Sequence, residues 1–359
     1  MQEKSSAATY TDAQRQAEIE NCTEGMEAIK AGEYEKAREY FEVLASNGNL
    51  TATLDLARLH LRNLVASPDP DYAITLLAGA SASGMPDASD DLGQTYEAGA
   101  WRAQNFTRAF EFYRLSADQG SVSGAFNLGR CFLEGIGTPQ HTANAMIWLG
   151  TAAHNDHSLA CYWMGSLYSG GEYIDRDASM ASNFYERGAS LGHSYSQNKL
   201  GIMYRDGIGR DEDGEQAFSL FYLSAQSGNE WGQYLLGDMY KTGTHVEQNL
   251  EAAARFLTLS AEQGLIEAQV VLGSMYGKGQ GVPADRNKSI ELYEAAAQQN
   301  SAVANFNLGI IYLNGDGVAQ AIDTGAAYMR QAAHLGMQEA VDILEDLKTN
   351  YGIETKDIH

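Results

Sequence analysis

With 359 residues, 44% of them hydrophobic, the chain is long enough to bury a continuous core. A formal net charge of −23 excludes the basic footprint that nucleic acid or an anionic membrane surface requires. No apolar run reaches the length of a transmembrane helix, and three isolated cysteines rule out a disulfide scaffold.

In chain order, residues 1–10 are expected to be disordered. The stretch Met1-Gln2-Glu3-Lys4-Ser5-Ser6 has no apolar core of a signal peptide, so a cytoplasmic location is expected, or a periplasmic or secreted one if a signal was removed. Residues 11–50 read as a helix hairpin in which Gly25 stands twelve residues before Ala37. From 51 to 337 the chain repeats every 36 residues, with Gly93, Gly129, Gly165, Gly201, Gly237, Gly273 and Gly309 in one column. Leu92, Leu128, Met164, Leu200, Leu236, Leu272 and Leu308 precede it, and Tyr96, Phe132, Tyr168, Tyr204, Tyr240, Tyr276 and Tyr312 follow by three.

These columns predict pairs of antiparallel helices. The apolar residue and the aromatic are four apart, one helical turn, so they share a face. A glycine inside a helix costs about 1 kcal/mol relative to alanine, so its recurrence implies close approach of the second helix. A further column, Asp69, Asn105, Asp177, Asp213, Asn249 and Asp285, supplies N-caps for that second helix, with His141 and Ala321 as defective members. Gly48, Gly84, Gly120, Gly192, Gly228, Gly264 and Gly336, with Asp156 and Asn300, mark its left-handed C-terminal end. Residues 338–349 read as a capping helix, with Glu345 in the glycine column, and 350–359 as a flexible tail.

The stretch Leu200-Gly201-x-x-Tyr204-x-x-Gly207-x-Gly209, followed by Ala217 and Ala225-x-x-Gly228, resembles the Sel-one-like repeat, a relative of the tetratricopeptide repeat. The resemblance implies an all-α, right-handed α-α superhelical solenoid of about nine helix hairpins with a C-terminal capping helix. It also implies that residues 51–337 are eight such repeats and that 11–50 is a tetratricopeptide-like hairpin. The implied role is a non-catalytic scaffold or adaptor for protein complexes, often in bacterial systems, with no cofactor. Alternatives left open are a secreted or periplasmic toxin-neutralising or host-contact protein, and a β-lactam-binding or hydrolysing enzyme. The last is tied to a cysteine-rich branch of the family, yet Cys161 has no mate near Ala153.

Few residues suggest chemistry. His154-Asn155-Asp156-His157 has metal-ligand character but occupies an inter-repeat turn. Asp211-Glu212-Asp213-Gly214-Glu215 is similar to a calcium loop but has Tyr222 where the closing glutamate belongs. No P-loop, zincin motif or nucleophile elbow occurs.

Family architecture places the first helix of each pair on a concave face. A partner protein or peptide is therefore expected in a groove formed by Phe126, Arg130, Tyr162, Tyr195, Asn198, Arg205, Trp231, Tyr234 and Lys241. Tyr162, Tyr195, Trp231 and Tyr234 would be apolar anchors, the three cations would meet acidic groups, and Asn198 would hold peptide backbone. The plain alternative is that these rings pack against adjacent helices.

Overall fold

The computed structural model describes residues 12–351, in which every regular element is an α-helix and no strand occurs. The disordered segment expected over 1–10 lies outside the described residues, as does the tail beyond Tyr351. The chain divides between Arg176 and Asp177 into two compact units.

The first unit begins with α1 (Asp12–Asn21), α2 (Thr23–Lys30), α3 (Tyr34–Ser46), α4 (Leu50–Leu61) and α5 (Pro70–Ala82). It continues with α6 (Pro86–Ala98), α7 (Phe106–Asp118), α8 (Val122–Glu134), α9 (Thr142–His154) and α10 (Ser158–Gly170). The second unit holds α11 (Ala178–Ser190), α12 (Ser194–Asp206), α13 (Gly214–Gln226), α14 (Glu230–Thr242) and α15 (Leu250–Glu262). It ends with α16 (Ile266–Lys278), α17 (Arg286–Gln298), α18 (Ala302–Asn314), α19 (Ile322–His334) and α20 (Gln338–Tyr351).

The glycine column has the role its recurrence implied. A Cβ placed on Gly201 in α12 would lie 2.5 Å from Cε1 of Phe221 in α13. Gly93 faces Tyr113, Gly129 faces Leu149, Gly237 faces Leu257, Gly273 faces Tyr293 and Gly309 faces Met329 in the same way. Each partner is a large side chain twenty positions downstream and buried. The ring or branched chain fills the space that the glycine vacates, so each hairpin core is a knob seated on bare backbone. In the hairpin of α4 and α5 the column holds Ala57 instead of glycine, and the residue twenty positions on is the buried Leu77.

Local signals set the helix ends. Asp213 accepts from the backbone N–H of Gln216 (3.0 Å), and Asp69, Asn105, Asp177, Asn249 and Asp285 cap their helices equivalently. His141 is not defective: its Nδ1 accepts from Asn144 N–H at 3.2 Å, doing with a ring nitrogen what a carboxylate does elsewhere. Ala321 does lack a side-chain cap. After α13 the chain turns at Gly228 with φ +83°, where Asn229 N–H reaches back to Ser224 O. Asn300 adopts the same left-handed geometry at φ +63°.

The N-terminal region is more elaborate than a single hairpin. Cys22 interrupts it, so that α1 and α2 are separate helices, and α1 lies against α4. There Glu18 accepts from Thr51 N–H at 3.0 Å, placing a carboxylate at the positive end of α4, and Arg15 pairs with Asp87 at 2.5 Å. At the other end Leu344, Leu347 and Ala340 of α20 close over Met329 and Ala332.

Candidate functional site

The position three residues before each glycine holds Phe126, Tyr162, Asn198 and Tyr234 of the expected groove, and at Phe126 and Asn198 the structure gives it an internal task. In the first unit Phe126, only 8% exposed, stacks on the ring of His157 with centroids 4.6 Å apart and meets Trp163 edge-on at 6.0 Å. His157 is itself the N-cap of α10, its Nδ1 accepting from Ala160 N–H at 3.1 Å. Asp90, in the same column, is buried and accepts from Asn127 at 2.8 Å, in the next repeat. Burial lifts its carboxyl above the ordinary range, opposed by the hydrogen bonds of Asn127 and Gln94.

In the second unit Asn198 is 4% exposed, and its Nδ2 donates to the N-cap side chain of Asn229 at 2.7 Å. At Phe126 and Asn198 the column thus joins a first helix to the N-cap of the next one, His157 and Asn229 respectively. Phe126 and Asn198, expected in the groove, are instead buried: one packs on His157 and the other donates to the N-cap Asn229.

The three expected cations are already engaged. Arg130 lies in a fork against Glu97, at 2.6 and 2.8 Å, with a longer contact to Glu134 at 3.4 Å. Tyr113 donates to the same Glu97 at 2.6 Å, linking the glycine-facing ring to the ion pair. Burial works against the charge on Glu97, yet the bonds from Arg130 and Tyr113 outweigh it and hold the carboxyl below its usual range. Arg205 is bonded to Asp206 at 2.7 and 3.0 Å, and Lys241 lies 3.7 Å from Asp238. Their expected acidic partners are therefore supplied by this chain.

The four aromatic anchors divide. Tyr234 is half-buried and packs against the cores around both Leu236 and Leu272, with Trp231 edge-on at 5.9 Å. Burial pushes the Tyr234 phenol up, assisted by Asp238 and Glu267. Tyr195 is 42% exposed and donates to Glu230 at 2.9 Å. Tyr162 lines a recess of about 350 Å³ together with Leu133, Glu134, Trp163, Ser166, Leu167, Gly170, Glu172 and Tyr173. Trp163 and Tyr173 were missed from the sequence, because one lies off the chosen column and the other in the loop after α10. The pair Tyr162-Trp163 beside a loop tyrosine was the available signal.

Groups that suggested chemistry are structural. His157 caps a helix, His154 Nδ1 lies 2.8 Å from Gly150 O, and Asp213 caps α13. No cluster able to hold a metal ion occurs among the described residues. Burial pushes the Cys22 thiol up to about 11 and Cys131 up to about 12, so neither is poised as a nucleophile. No disulfide links the three buried cysteines.

The repeat architecture agrees with comparison to known proteins. The Sel1 repeat model matches residues 25–49, 86–121, 122–157, 158–193, 194–229, 232–265, 266–301 and 302–337. The chain belongs to the Sel1 repeat family. The span without a match, 50–85, contains the hairpin with Ala57 in place of the glycine. Among Sel1 structures, one from Oxalobacter formigenes is 26% identical with a TM-score of 0.65, covering 86% of this chain and 89% of that one. A protective antigen of uropathogenic Escherichia coli with an SLR fold is 27% identical with a TM-score of 0.64, covering 89% of this chain and 76% of the antigen.

Curated relatives include fungal proteins. The chitin synthase regulator SKT5 of Saccharomyces cerevisiae is 32% identical over 89 residues, which is 25% of this chain and 13% of the regulator. Its counterpart in Malassezia restricta is 29% identical over 143 residues, 38% of this chain and 10% of that protein. The chain therefore spans only a small part of the length of these relatives.

Proposed function

We propose that this Sel1 repeat chain is a non-catalytic scaffold or adaptor that holds a partner protein against the exposed side of its first helices. The observation that carries this reading is how completely the repeat consumes its polar and aromatic residues internally. Asparagines, aspartates and histidines cap helices, arginines pair with neighbouring carboxylates, and the two thiols with perturbed acidity are buried. What the surface retains is shape, acidic side chains and a few aromatic ones, which suits recognition of another macromolecule. Fungal relatives named as regulators of chitin synthase support the same reading. Buried thiols outside any disulfide support a reducing, cytoplasmic setting.

The test is affinity capture from the source organism with the unmodified chain and with a Tyr162→Ala, Tyr195→Ala variant, compared at equal helical content by circular dichroism. A partner retained by the first and lost by the second is expected. Undiminished capture would place the contact surface elsewhere, and absence of any specific partner would end the scaffold reading.

A further inference from the structure

The recess around Tyr162 carries more information than its shape. Its walls are apolar and aromatic, from Leu133, Leu167, Tyr162, Trp163 and Tyr173, while Glu134 and Glu172 are the charged residues that line it. It also lies at the C-terminal ends of α8 and α10, which finish at Glu134 and Gly170. The carbonyls of Cys131, Phe132 and Leu133 at the end of α8 already accept from this chain, so the helix ends contribute the negative end of the macrodipole, which favours cations. Arg130, the basic side chain of α8, is held by Glu97 in a two-bond fork and touches the recess-lining Glu134 only at 3.4 Å, which leaves that carboxylate 42% exposed. The following loop, 171–176, sets Glu172 and Asp175 against the single cation Arg176.

Ring faces, carboxylates and helix ends all attract positive charge, and the chain as a whole carries −23. We propose that this recess receives an arginine side chain from a basic segment of a partner protein. The guanidinium would stack on the exposed aromatic faces with its edge directed to Glu134 and Glu172, and its methylene stem would cover Leu133 and Leu167. The volume of about 350 Å³ is ample for one such side chain with its neighbouring backbone. This assignment rests on the scaffold reading and specifies the chemistry of the partner.

The experiment titrates the full chain with a blocked peptide, Ac-Ser-Gly-Arg-Leu-Gly-Ser-NH2, and follows the indole N–H resonance of Trp163, assigned with a Trp163→Phe variant. The control peptide carries citrulline, which keeps the shape of arginine and removes its charge. A saturable shift of the Trp163 signal is expected, with affinity for the citrulline peptide about three- to tenfold weaker. Tyr173 is 43% exposed and on a loop, so Tyr173→Ala should preserve helicity and weaken arginine binding about threefold or more. Glu172→Gln should make the remaining binding less sensitive to salt.

Equal binding of the two peptides would overturn the proposal, as would no shift at millimolar peptide, or shifts confined to other tryptophans. Preference for an acidic or purely apolar peptide at Trp163 would overturn the cation assignment alone and leave the scaffold reading intact. That reading stands or falls separately on partner capture.

Discussion

Alanine in place of glycine should have opposite effects at two helical positions that look alike in sequence. At Gly201 the new Cβ would lie 2.5, 2.8 and 3.0 Å from three atoms of the Phe221 ring, which is fully buried and has nowhere to retreat. Overpacking of this kind costs about 1–3 kcal/mol, against about 1 kcal/mol regained from helix propensity. The net expectation for Gly201→Ala is a loss of about 0–2 kcal/mol, and Gly201→Leu should exceed it. At Gly79, inside α5, the added methyl would meet nothing within 4 Å, so only the propensity gain of up to about 1 kcal/mol remains.

The decisive measurement is native-state hydrogen exchange, because a repeat array opens locally and a single melting temperature would average over it. Protection should fall in α12 and α13 for Gly201→Ala and rise in α5 for Gly79→Ala. A Phe221→Leu substitution combined with Gly201→Ala should recover part of the loss, by relieving the contact it creates. If both alanines stabilise, or both destabilise, the close-approach account of the glycine column is wrong.

Removing the Glu97 carboxylate should be felt on two sides. Glu97→Leu leaves the largely buried Arg130 charge with only its 3.4 Å contact to Glu134, and the Tyr113 hydroxyl without its acceptor, with an expected loss of about 2–4 kcal/mol measured by denaturant unfolding. Acid should weaken the first unit through His60 and His157, whose pKa values are both lowered by burial. The unfolded chain then takes up protons first, so this contribution is complete above about pH 6.5 and lost as pH falls through the lower folded value. His157→Asn should retain the N-cap and flatten that part of the stability profile, whereas an unchanged slope would remove His157 as a cause. Cys22 and Cys131, pushed up to about 11 and 12, should react slowly with a thiol reagent at pH 8 in the folded chain and rapidly once unfolded.

How much of the site was legible follows from what each side chain meets. Arg130 and Arg205 were expected to meet acidic groups of a partner, whereas in the structure they pair with Glu97 and Asp206 of the same chain. A column lists residue types, whereas pairing depends on which neighbour comes within hydrogen-bond distance across a repeat boundary. Phe126 and Asn198 misled for the same reason: an aromatic or amide off the glycine face is indistinguishable in sequence from one that contacts the next helix N-terminus. Tyr173 was invisible because loop positions have no helical period to betray their direction. His141 reads as a defective cap in sequence because ring nitrogens are rarer in that role than carboxylates, although the geometry is equivalent.

While the large side chain seated on each glycine came from the structure, periodicity by itself determined the repeated helix pairs, most of their ends and the close approach at the glycine column. These depend on contacts between residues at constant separation, which a repeated sequence writes out many times. Tertiary structure alone decided which polar and aromatic residues remained for function, because capping and ion pairing between successive repeats consume most of them. It also assembled the recess at the ends of α8 and α10, from two helices and a loop that share no period.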